Sequence, residues 1–216
     1  MPHLSLVKTL SHLQQEQRHI DEIRLEAHGL TLMRGSIAEF AGPASTGKTS
    51  LVLSVMAQLT TEGEICALVD SAGSFDPVSA KLAGVEFENL LWVRCGGELE
   101  KAFLAADYLV QAKGFGCVWL NLNGLPQNKL RLVPRTYWYR YRSRIKETPT
   151  LFLVTAEEHV TGSASQQSFQ LEREDARWSG TGRFKLLREF HLKFHSRKGY
   201  FGPPQRTRIE MDYSDV

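Results

Sequence analysis

The sequence predicts an α/β fold: a mostly parallel sheet flanked by helices, with a C-terminal antiparallel extension. Three observations predict it. From Ile37 onward, short apolar runs alternate with segments of helical period, and continuous apolar strands separated by helices belong to a sheet covered on both faces. After Thr155 the helices stop, and Phe169–Trp178, Arg188–Lys198 and 206–213 alternate side-chain character around turn residues, the pattern of an antiparallel meander. Between the apolar run Ile37–Ala41 and a helix-patterned stretch from Leu51 lies Gly42-Pro43-Ala44-Ser45-Thr46-Gly47-Lys48-Thr49-Ser50. Strand, glycine-rich turn and helix form the context of a phosphate-binding loop.

Taken in order, Leu6, Val7, Leu10 and Leu13 predict a short amphipathic helix over residues 4–16; packing on its own domain and docking on another chain both fit. Residues 17–34 are polar and read as irregular, with Gly29 and Gly35 bracketing a turn. The division is a lead-in over 1–34 and a core over 35–216. Strands are expected at Ile37–Ala41, Ile65–Asp70, Leu90–Val93, Cys117–Leu122 and Leu151–Thr155, with helices over 48–60, 77–83, 98–113 and 129–146. Gly199 and Gly202-Pro203-Pro204 supply the turn between the last two strands.

The loop at 42–50 carries the clearest chemistry. Glycines at both ends let successive N–H groups point at phosphate oxygens, and the following helix adds its positive end. Lys48 would reach the outer phosphates and Thr49 would ligate magnesium, so ATP or ADP with Mg²⁺ is the expected ligand.

The rest of the composition narrows the field. With 216 residues, 42% apolar, the chain can bury a substantial core. A net charge of +2 is too mild to imply nucleic acid by itself. Cys66, Cys95 and Cys117 lack metal or redox spacing and read as buried thiols of a reducing compartment. No run approaches the 18 apolar residues of a membrane span, so a cytoplasmic protein is expected. His191 and His195 can share a strand face, but no third metal ligand is evident.

Lys129 to Lys146 holds seven basic residues and no acid, with Tyr137, Trp138, Tyr139 and Tyr141 among them. One reading is a surface for nucleic acid or an acidic partner, carried by Arg135, Arg140 and Arg142 with Trp138 and Tyr139 exposed. The other is a sheet-covering helix with Leu130, Val133, Tyr137, Tyr141 and Ile145 inward and the arginines solvated.

The runs Gly35–Thr49, Cys66–Pro77, Leu82-Ala83-Gly84-Val85 and Asn89-Leu90-Leu91 resemble the first half of a RecA core. The hairpin Arg197–Pro204 is similar to the basic turn of RecA and RadA proteins, without its asparagine. The resemblance implies a RecA-like P-loop core, with Asp76 facing the adenine and Arg197 and Lys198 at a subunit interface. It also locates four departures. Ala72 stands where such an ATPase has a glutamate orienting water. Asn121 replaces the aspartate that helps hold magnesium. Thr155 and Ala156 replace an Asn-Gln pair that couples nucleotide to DNA, and Ser79 replaces an aromatic beside the base. Removing a general base costs on the order of 10²–10⁴ in rate, so binding without appreciable hydrolysis is expected, unless Asp70 or Glu157 substitutes. The DNA-inserting loops are reduced to Leu122–Asn128 and Glu157–Gln166.

These features look like the ImuA-type proteins of bacterial mutagenesis cassettes. That likeness implies, as partners, RecA, a Y-family polymerase homologue and an error-prone replicative polymerase, in SOS-induced translesion synthesis. Direct DNA contact and homo-oligomerisation stay open, as do an active DNA-dependent ATPase and a partner-binding module with a vestigial loop.

Overall fold

The computed structural model describes residues 22–181, 185–199 and 203–210. The expected helix over 4–16 lies outside the described residues, as does the turn at 200–202. An eight-stranded sheet has the order β10-β9-β8-β3-β7-β6-β4-β5. Its strands are β3 (Ile37–Ala41), β4 (Cys66–Asp70), β5 (Leu90–Arg94), β6 (Cys117–Asn121), β7 (Leu151–Ala156), β8 (Gln167–Ser179), β9 (Leu186–Lys198) and β10 (Gln205–Glu210). β3 to β8 run parallel, and β9 and β10 continue the sheet antiparallel.

Every residue of β3, β4, β6 and β7 is buried, which is why these strands read as unbroken apolar runs. Alternate residues serve opposite faces. Phe40, Leu68 and Trp119 pack against α1 (Lys48–Thr61) and α2 (Pro77–Leu82), while Ile37, Val69 and Val118 pack against α3 (Leu99–Ala112) and α5 (Arg135–Ile145).

Two expectations are corrected. Residues 22–33, read as irregular, form a hairpin of β1 (Glu22–Leu25) and β2 (Leu30–Met33). Ile23, Leu25, Leu30 and Leu32 point into the core shared with α1, alternating with polar neighbours, and Gly29 takes φ +60° at the corner. His28 ties this hairpin to Thr207 at 2.7 Å and to Ser54 at 3.1 Å. The helix expected over 129–146 is broken: α4 (Gln127–Leu130) stops before Pro134, and α5 starts after it. Proline at 134 disfavours helical backbone at Val133 and has no N–H to continue the ladder.

The meander stands as expected, but its first two strands are 13 residues each and overshoot β3. Three register shifts along the β8–β9 pair bend this arm, as bulges do.

Candidate functional site

The loop 42–50 leaves the carboxyl end of β3, where an open α/β sheet forms its crevice. Gly47 has φ +88° immediately before α1. A Cβ there would lie 2.5 Å from Cε2 of Phe190, so backbone conformation and close approach both require glycine. Lys48 is 5% exposed. Its ammonium donates to the carbonyls of Gly42 and, at 2.8 Å, Pro43, folding back on its own loop. Burial lowers its pKa to about 8, with Glu157 opposing the shift. The Thr46 hydroxyl donates to the Pro43 carbonyl at 2.9 Å. Thr49 and Ser50, half-buried at the start of α1, face the same cavity of about 470 Å³ as Ala44 to Lys48.

Beyond the cavity the ends of β6 and β7 are uncharged. The Asn121 carbonyl oxygen accepts from Thr155 Oγ1 at 3.0 Å, from the Asn123 side chain at 2.9 Å and from the Asn123 backbone at 3.2 Å. Its amide donates to Ser74 Oγ at 2.9 Å. Thr155 in turn accepts from the Trp119 indole at 2.9 Å. Ala72 presents only a methyl group, close to Gly124. Asp70 is fully buried and accepts from the backbone N–H groups of Gly73, Ser74 and Phe75 at 3.0, 3.0 and 3.3 Å. That carboxylate shapes the turn after β4 and is committed there. Glu157, exposed after β7, does line the cavity.

The loop bearing Glu157 is pinned from below. Glu39 of β3, 1% exposed, accepts from Val160 N at 2.7 Å, Thr161 N at 2.9 Å and Ser168 Oγ at 3.0 Å, and contacts His159 Nδ1 at 2.9 Å. Burial alone would raise the Glu39 pKa, but the bonds from His159 and the two backbone groups hold it below its ordinary value.

The third wall comes from the β8–β9 arm: Arg173, Trp178, Leu187 and Phe190. Sequence reasoning missed these four, along with Ser74 and Asn123. No local motif marks the arm residues, which lie more than 120 positions beyond the loop; only the closure of β8 onto β3 brings them there. The family model of the RecA N-terminal domain matches residues 19–122. Over that stretch the chain is similar to the RecA N-terminal domain. The match takes in the loop at 42–50, the turn after β4 and the end of β6 at Asn121, and it stops short of the arm.

The other residues singled out in the sequence fall elsewhere in the fold. Asp76 caps α2, accepting from Val78 N and Ser79 N at 3.1 Å each and from the Ser79 hydroxyl, and these bonds, the Ser79 hydroxyl's first, lower its pKa. It does not line the cavity with the loop.

Trp138 corrects an expectation. It is 2% exposed and packs edge-on against Phe103 at 5.0 Å between ring centroids, because α5 starts only at Arg135 and its inward face is Trp138, Tyr141 and Ile145. Tyr139 is 46% exposed. Arg140 bonds Asp107 at 2.9 Å and covers the Tyr137 ring at 4.6 Å, and Arg144 shares that carboxylate. Arg135 and Arg142 are exposed. Ser163 gathers several of the remaining candidates. Tyr139 bonds its hydroxyl, while Arg142 at 3.4 Å and Lys198 at 3.0 Å reach its carbonyl. Lys198 is also held by Ser165, while Arg197 beside it is exposed.

Among the described residues, no helix is long and apolar enough to cross a membrane.

Proposed function

We propose that this chain is a nucleotide-binding accessory protein of the DNA damage response, built on a RecA-like core that hydrolyses ATP weakly or not at all. The observation that carries the reading is the contrast between the phosphate loop and the neighbouring ends of β6 and β7 and the turn after β4. The glycine-bounded loop with Lys48, Thr49 and the α1 N-terminus has the form needed to hold phosphates, while Ala72, Asn121 and Thr155 opposite it offer no carboxylate. Backbone N–H groups from Ala44 to Lys48 would cradle the phosphates. Lys48 would exchange its two loop carbonyls for phosphate oxygens. Thr49 would ligate the Mg²⁺ of the nucleotide, whose charge screens the phosphates. An amide at Asn121 supports that cation less well than a carboxylate, because a hard cation prefers anionic oxygen.

The likeness to ImuA-type proteins supports a role in SOS-induced translesion synthesis, with RecA, a Y-family polymerase homologue and an error-prone replicative polymerase as partners in the cytoplasm. The surface around Ser163, with Tyr139, Arg142, Arg197 and Lys198, is the face we assign to that contact or to weak DNA binding. Removing residues 1–16, or reversing Arg197 and Lys198 to acids, should weaken a RecA pull-down; retention unaffected by both changes refutes the interface.

One observation favours a second reading. Glu157 shares the cavity with Lys48, so it is the carboxylate placed to activate water in an active DNA-dependent ATPase. Single-turnover ATP hydrolysis with and without single-stranded DNA decides between them. On the accessory reading, wild type is slow and Glu157→Gln changes nothing. A DNA-stimulated rate that falls roughly 10²- to 10⁴-fold in Glu157→Gln and vanishes in Lys48→Ala establishes the enzyme instead.

A further inference from the structure

Trp178 has no role in the fold that its surroundings explain. It is 51% exposed, whereas Trp119 and Trp138 are buried and Trp92 packs against Phe75 at 4.9 Å under Arg94. Among the described residues no ring or cation covers its face. Such a ring offers 150–250 Å² of largely apolar surface, and here it stands at the lip of the phosphate-loop cavity.

The cavity is divided by chemistry. Lys48, Thr49 and Glu157 line it from the phosphate loop and the end of β7, while the arm contributes the apolar Trp178, Leu187 and Phe190 together with Arg173. The register explains the second part: Trp178 faces Leu187 across the β8–β9 ladder, and Ala176 faces Phe190. The Phe190 ring presses on Gly47, so the apolar wall abuts the phosphate loop directly. At about 470 Å³ the volume suits a small ligand. A ligand with an anionic tail and a flat, apolar-faced ring matches that division.

Resting on the nucleotide-binding reading above, we infer that the β8–β9 arm is the base-binding wall of this site and that the nucleobase stacks on Trp178. The wall is supplied by the same chain that supplies the phosphate loop. Leu187 and Phe190 offer no hydrogen-bonding atom to a base edge, and every base has a π-face. The wall therefore discriminates little between adenine and guanine.

The test is calorimetric titration of the full chain with Mg-ADP, Mg-GDP and inorganic pyrophosphate, for wild type, Trp178→Ala, Trp178→Phe and Lys48→Ala. Mg-ADP and Mg-GDP should bind with similar affinity and more tightly than pyrophosphate. Trp178→Ala should weaken both nucleotides about five- to a hundredfold and leave pyrophosphate unchanged, and Trp178→Phe should restore most of the loss. If Trp178→Ala binds Mg-ADP as wild type does, or if Mg-ADP is held no better than pyrophosphate, the base wall is refuted and the phosphate loop stands. A wild-type chain that binds none of the three overturns the wall and the nucleotide-binding reading together.

Discussion

The two sides of the cavity make the same point from opposite directions. On the side of β3, the loop works through backbone geometry: glycines, a helix end and one lysine. On the side of β4, β6 and β7, an ATPase would work through side-chain carboxylates; there the chain has Ala72, Asn121 and Thr155 at the three positions singled out in the sequence, Asp70 is committed to its turn, and Glu157 is the acid that lines the cavity. Asn121 bonds Ser74, Asn123 and Thr155 at once, while the buried Asn123 carbonyl oxygen is left without a partner among the described residues.

Lys48→Ala should break the binding side outright, weakening Mg-ADP by about a hundredfold or more, since charge-assisted hydrogen bonds to phosphate contribute about 1.5–3 kcal/mol each; equilibrium titration reads the loss. Thr155→Val should break the other side without touching the loop. It orphans the Trp119 indole and removes a donor from Asn121, costing about 1–3 kcal/mol in chemical unfolding. Asn121→Asp should sharpen the contrast by returning an acid, raising the Mg²⁺ dependence of nucleotide affinity by about tenfold.

The smallest effect is a pH drift. Lys48 titrates near 8 when folded, against the ordinary lysine value of 10.5, so the unfolded chain holds more protons between those values. Free-protein stability should rise as pH climbs from about 8 toward 10. Over the same window nucleotide affinity should fall a few-fold, because the neutral amine no longer complements phosphate. Melting and titration at pH 7 and 9 should move in opposite directions, and Lys48→Ala should flatten the stability drift.

Much of this was legible in the sequence where burial is complete. Ile37–Ala41 matches its strand residue for residue, and β4, β6 and β7 agree within a residue at each end, because a strand covered on both faces shows as an unbroken apolar run. The half-buried elements were harder. Residues 22–33 carry a period-two alternation too short to stand out beside their charge. The placement of Trp138 turned on Pro134, which resets where α5 begins and therefore which side faces inward. In the site, the loop was readable because its chemistry is contiguous. The arm was not, since Arg173, Trp178, Leu187 and Phe190 become neighbours of Lys48 only through sheet order.

Glu39 gives the cavity a mechanical property. It sits three residues before Gly42 on the strand that carries the loop, and it grips the segment from His159 to Thr161 through hydrogen bonds sheltered from water. Tension on residues 157–166, from whatever docks there, would pull on a rigid strut ending at the phosphate loop. Because the grip depends on an ionised acid held below its usual pKa, it slackens only once the medium turns acidic enough to protonate Glu39.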